Sequence, residues 1–149
     1  MSVNPDLVER TFPPTPPYLV GREKVREFSR AVFATAPQHT DVEAARAQGY
    51  ADIVAPPTFA MVIADQTLQQ LLNDPTSGIV LERALHTDQQ FASTRPIVAG
   101  DELTGQLKVT RVRAMGSGAM VTSETHVTDA DGNLVVTATS TLLIGSEDE

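Results

Sequence analysis

The chain has 149 residues, 41% of them hydrophobic, and a formal net charge of −8; that length supports one domain with a proper core, expected to span 1–149, rather than two of ordinary size. The acidity, with no basic stripe and no aromatic ladder, removes the electrostatic basis for nucleic-acid binding, and the lack of cysteine excludes disulfides and thiolate chemistry. His39, His86 and His126 lack zinc-ligand spacing, no apolar run approaches the roughly 20 residues that cross a bilayer, and no basic-then-apolar leader opens the chain, so the expectation is a cytoplasmic protein without metal, cofactor or membrane partner.

Residues 1–17 read as an extended entry segment, because Pro13, Pro14, Pro16 and Pro17 fix the backbone angle and lack amide donors. A short strand candidate at Tyr18, Leu19 and Val20 precedes Gly21. Val25, Phe28 and Val32 then recur at helical spacing among charged residues, which predicts an amphipathic helix. Asp41 stands before Val42–Ala47 and Gly49 after it, the chemistry of a short helix capped at both ends. A third helix is predicted to begin near Pro57, where the missing amide would have no intrahelical partner. It is apolar from Phe59 to Ala64, half polar at Gln66, Gln69 and Gln70, and ended by Asn73, Asp74 and Pro75.

Beyond Gly78 the pattern is β-like, with strands predicted at 79–91, 102–113, 119–128 and 134–144. In the last of these, Leu134, Val136, Ala138, Leu142 and Ile144 fall on one face and Thr137, Thr139 and Thr141 on the other. Gly116-Ser117-Gly118 and Asp131-Gly132 are hairpin-turn chemistry, so the strands are expected to pair antiparallel with their sequence neighbours. Residues 146–149 read as a frayed tail. One buried helix followed by a long antiparallel meander predicts an α+β layout in which a sheet wraps a central helix. A lone sheet of this kind leaves an edge open, which predicts pairing with a second chain.

The stretch PQHTDVEAARAQGYADIVAPPTFAMVI, from Pro37 to Ile63, orders a loop histidine, a capped helix and a proline-led apolar helix. It resembles the active-site segment of MaoC-like hotdog hydratases and dehydratases, which act on acyl thioesters. FASTRPIVAGDEL, from Phe91 to Leu103, is similar to the strand-turn-strand junction of the same family. The likeness spans residues 18–145 and extends to the short (3R)-hydroxyacyl-ACP dehydratase subunits of mycolic-acid elongation and to related uncharacterised short MaoC-like proteins. It implies a dimeric hotdog fold, an acyl-CoA or acyl-ACP substrate, and either a homodimer or a heterodimer with a MaoC-like subunit.

The family's D-x-N-P-x-H motif supplies Asp and His as an acid/base pair. Aligned on Pro37 and His39, this sequence has Ala34 at the Asp position and Ala36 at the Asn position. Neither alanine moves a proton, so an acid/base contribution commonly worth about 10²- to 10⁴-fold is removed. At the helix start the family places a glycine whose amide holds the thioester oxygen. Here the matching residue is Pro57, which has no amide hydrogen, leaving Thr58 as the candidate donor.

The resemblance further implies an acyl channel lined by Phe59, Val62, Ile63 and Tyr50, although aromatic residues beside a buried helix are equally ordinary core filling. The favoured reading is a subunit of an R-specific 3-hydroxyacyl-thioester dehydratase or enoyl-thioester hydratase that needs a catalytic MaoC-like partner. One alternative is a self-sufficient hotdog dehydratase or thioesterase using His39 and Asp65. The other is a non-catalytic acyl-thioester binding module. Against a catalytic role, His39 reads as a loop histidine satisfied by backbone and Asp65 as a solvated helix-face residue.

Overall fold

In the computed structural model, which describes residues 2–146, residues 2–17 depart from a plain extended lead-in. Pro5–Leu7 forms a single 3₁₀ turn capped by the Asn4 side chain, which accepts from the Asp6 amide. Val3, Leu7 and Phe12 are buried. Proline spacing reports the fixed backbone angles after residue 12, but burial of three apolar side chains decides where the segment runs. It lies along the third strand, with the Phe12 amide bonded to the Leu107 carbonyl at 2.9 Å and the Thr15 amide to that of Gly105 at 2.8 Å.

The regular elements are β1 (Tyr18–Leu19), α1 (Arg22–Ala31), α2 (Val42–Ala47), α3 (Met61–Leu72), β2 (Ala84–Ser93), β3 (Glu102–Met115), β4 (Gly118–Thr128) and β5 (Leu134–Ile144). They form one antiparallel sheet in the order β1-β3-β4-β5-β2, with α3 packed on β3 and β4. This is the expected hotdog arrangement. Leu103, Leu107 and Val109 of β3, Val121 and Val127 of β4, and Val136, Ala138, Leu142 and Ile144 of β5 are buried beneath α3 and the segments beside it.

Gly105 is what lets the helix lie close. A Cβ there would stand 2.6 Å from Ile63 Cγ2 and 3.1 Å from Thr67 Cγ2, closer than packed carbon atoms allow. The two buried hydroxyls at this contact satisfy each other, Thr67 Oγ1 to Thr125 Oγ1 at 2.6 Å, so helix and sheet meet without an orphaned polar group.

Four expectations are corrected. The proline-led helix becomes regular only at Met61, because Phe59, Met61 and Val62 donate three residues back, to Pro56, Thr58 and Phe59, and so wind residues 56–62 into 3₁₀-like turns first. The first long strand begins at Ala84, since Leu81–Arg83 is a 3₁₀ turn. That strand pairs with β5 instead of its sequence neighbour β3, so residues 94–101 are a crossover between sheet edges and not a hairpin junction. Leu134 is exposed despite sharing the parity of Val136, because it opens β5 beside the Asp131-Gly132 turn, while Val135 is buried instead. Of the tail, Ser146 hydrogen-bonds Ser117 through its hydroxyl, and residues 147–149 lie outside the described residues.

Candidate functional site

Asp41 fixes the geometry around His39 by ending one turn and starting a helix. Its Oδ1 accepts from the Glu43 amide at 3.0 Å, capping α2 as expected, while its own amide donates to the Pro37 carbonyl at 2.9 Å. Pro37–His39 is thereby held as one 3₁₀ turn. Arg26 of α1 braces the same loop, its Nε donating to the Thr40 carbonyl at 3.0 Å.

Val54 meets this turn from the far side. Its amide donates to the Gln38 carbonyl at 2.9 Å, and its carbonyl lies 2.6 Å from His39 Nδ1. A carbonyl only accepts, so Nδ1 carries the proton and Nε2 carries the lone pair of the neutral ring. The fold has therefore chosen the tautomer, which leaves Nε2 as the nitrogen able to take up a proton.

The segment bearing Val54 is itself pinned. Asp52 accepts from the Ile53 amide at 2.8 Å and from Arg22 of α1 through two nitrogens, Nε at 3.1 Å and Nη2 at 2.8 Å. The guanidinium is the main reason that the Asp52 carboxyl sits below its ordinary pKa, with partial burial opposing it and the Ile53 amide assisting. On its other side the segment pairs with the crossover, Ala55 N to Ile97 O at 2.8 Å and Ala99 N to Ile53 O at 3.0 Å.

These elements enclose a cleft of about 390 Å³ whose walls include Gln38, His39, Pro57, Ser93, Pro96 and Ile97. Among the described residues, His39 is the sole titratable side chain on its lining. The walls are otherwise apolar apart from Gln38 and Ser93, a setting in which a single imidazole and two neutral hydrogen-bonding groups would govern the orientation of a polar ligand head. A larger cleft of about 500 Å³, bounded by Val3, Gly78 and Ile144 among others, lies at the other end of the molecule and has no titratable group on its described lining.

Of the sequence candidates, the structure brings His39 and Pro57 to one cleft. Thr58 follows directly, is exposed, and among the described residues no backbone carbonyl accepts its amide. Phe59 and Ile63 are fully buried in the core and absent from the cleft lining, as is half-buried Val62. Phe59 meets Phe28 of α1 edge to face, ring centroids 5.3 Å apart. Tyr50 packs half-buried against the same cluster, and Asp65 is exposed on α3 away from the cleft lining. Ala34 and Ala36 are half-buried in the loop, and the Ala36 carbonyl accepts the His39 amide at 3.1 Å. Sequence reasoning passed over Gln38, whose signal is adjacency to His39, and Ser93, Pro96 and Ile97, which reach the cleft by the crossover and carry no local signal. Among the described residues no three histidine, aspartate or glutamate side chains gather into a metal-donor set.

A family model described as FAS1-like, dehydratase domain region, matches residues 9–138. UPF0336 protein Lxx02810 of Leifsonia xyli subsp. xyli is 56% identical over 146 residues, covering 98% of either chain. The C-terminally truncated HadBC (3R-hydroxyacyl-ACP dehydratase) complex from Mycobacterium tuberculosis contains a similar chain, 33% identical, with a TM-score of 0.81 over 93% of this chain and 97% of that one. A MaoC-like dehydratase is 36% identical with a TM-score of 0.86 over 95% of this chain, which spans only 43% of that longer protein.

Proposed function

Starting from the chain's membership of the FAS1-like dehydratase domain region family, we propose that it is one subunit of an R-specific 3-hydroxyacyl-thioester dehydratase or enoyl-thioester hydratase whose second subunit is a MaoC-like chain. The observation that carries this reading is His39 held as one tautomer on an apolar cleft whose described lining contains no carboxylate. Dehydration removes a proton from the carbon beside the thioester and delivers one to the departing hydroxyl. A lone imidazole is one acid/base group, and the fuller pair would come from the partner.

Three further features support a subunit role. Pro57 offers no donor for the thioester oxygen, and the Thr58 amide next to it is the first along that turn that can. The outer edge of β2, ten residues long and mostly exposed, has no partner strand among the described residues, which is the geometry that takes a second sheet edge to edge. The similar M. tuberculosis chain belongs to a complex, and more than half of the longer MaoC-like dehydratase lies outside its match to this chain. The acyl chain of the substrate would lie against Pro56, Pro96, Ile97 and Val136 of the cleft.

The test is hydration of enoyl thioesters by the chain alone and after co-purification with a MaoC-like chain bearing an intact D-x-N-P-x-H motif. The expected result is turnover by the pair at least about 10²-fold above the isolated chain, the size of one acid/base contribution. Robust turnover by the chain alone, abolished by His39→Ala, would instead establish a self-sufficient enzyme. Thioester binding without turnover in either state would leave a binding module.

A further inference from the structure

Arg95 lies on the crossover and not on the cleft lining, yet it is the most heavily bonded side chain of that segment. Its Nη1 donates to Asp101 Oδ2 at 2.8 Å and its Nη2 to Asp101 Oδ1 at 3.1 Å, a fork-to-fork pair. Nη1 also donates to the Pro96 carbonyl at 3.0 Å, and Nη2 reaches Asp129 Oδ2 at 3.4 Å across the β4–β5 turn. Asp101 Oδ2 in turn accepts the Val98 amide at 2.9 Å. Residues 95–101 are therefore closed into a ring by one guanidinium.

That ring contains the residues paired with the histidine's own anchor. Ile97 and Ala99 bond the backbone of Ala55 and Ile53, Val54 and Val98 face each other as an isolated antiparallel bridge, and the Val54 carbonyl holds His39 Nδ1. The links between the two segments are backbone hydrogen bonds of 2.8 and 3.0 Å, and the last is the imidazole donating to the Val54 carbonyl at 2.6 Å, so a shift of the crossover is carried to His39 through a continuous chain of hydrogen bonds. We propose that Arg95 is a positioning residue, which through Asp101 and the paired segments 97–99 and 53–55 fixes the orientation and tautomer of the His39 imidazole. The role rests on His39 being the working group of the site, but the physical link can be measured without any activity.

The test is ¹⁵N NMR of the imidazole nitrogens in Arg95→Gln, Asp101→Asn and a remote control, Lys108→Gln, which breaks the more exposed Lys108–Glu9 pair beside the N-terminal segment. In the unaltered chain His39 should show protonated Nδ1 and bare Nε2. Arg95→Gln should raise the proportion of the opposite tautomer roughly fivefold to tenfold, the change brought by weakening one ordinary hydrogen bond. Asp101→Asn keeps an acceptor for the Val98 amide and should shift it less, and it stands in if Arg95→Gln does not fold. Lys108→Gln should leave the ratio unchanged. In the partnered complex Arg95→Gln should lower kcat more than it raises KM. An unchanged tautomer ratio in both folded crossover variants, or an equal shift in Lys108→Gln, would overturn the proposal. A complex that is inactive with all chains unaltered would count against the proposed function alone, because the NMR result stands without it.

Discussion

The two ends of this hotdog are built on different principles. At the end holding Leu68 and Leu71 of α3, the core is completed by Leu107, Val109, Val121, Leu142 and Ile144 from three paired strands and by Val3, Leu7 and Phe12 from the N-terminal segment. At the His39 end, much of the wall is irregular chain, 36–41, 51–60 and 94–101, and it is held by the isolated Val54–Val98 bridge and by the pairs Arg22–Asp52 and Arg95–Asp101. Strand ladders repeat one geometry and suit burial, whereas loops tied at single points can present different groups to one cavity. The larger cleft lies at the strand-built end and has no titratable lining, so volume alone would have pointed away from the imidazole.

Breaking the strand-built end should produce the largest loss of stability. Leu71 is fully buried there, and Leu71→Ala is expected to cost about 2–5 kcal/mol, read as a lower denaturant midpoint at unchanged slope. If the ends are separable, the His39 ring resonances should hold still in the folded mutant. Movement of those resonances would show that the core transmits strain through α3 and would erase the distinction.

The loop-built end should contain slack that can be removed. Phe33 follows α1 in the left-handed region, at φ 60°, and the residue is 87% exposed. Glycine normally occupies this position after a helix, and the Ala34 amide reaching back to the Ser29 carbonyl at 2.8 Å completes the usual helix-ending bond. Phe33→Gly is expected to stabilise the chain by about 0.5–1 kcal/mol, the relief of left-handed strain less the entropy that glycine adds to the unfolded state. A melting temperature that falls on this substitution would mean that the exposed ring is held by a contact the isolated chain does not display.

Acid should sharpen the contrast by the smallest margin. The Asp52 carboxyl is held below its usual value chiefly by Arg22, so the unfolded chain binds the proton more readily than the folded one. The pair's stabilisation is complete above the ordinary carboxylate value of about 3.9 and is lost as pH falls through the lower folded value. Exchange protection of the Ile53 amide, which Asp52 accepts, should therefore decline in that acid range. Asp52→Asn should start from lower protection at neutral pH and show no such decline, and a mutant that kept the acid dependence would assign it to another group.

The sequence by itself determined much of this molecule where the information is local. The Asp41 cap, the Gly49 stop and the span of β5 follow from side-chain chemistry and period-two alternation within a few residues. His39 stands out in the chain because it follows Pro37 ahead of that capped helix, and the structure places it on the cleft. Tertiary structure alone decided that β2 leaves its sequence neighbour for β5, because this pairing joins segments some fifty residues apart and no local residue pattern encodes it. It placed Phe59 and Ile63 in a buried cluster, a position that an apolar helix face does not by itself specify. The Val54 carbonyl at the imidazole and Ser93 across the cleft were likewise invisible in the chain, since every residue has a carbonyl and only the crossover determines which one meets His39.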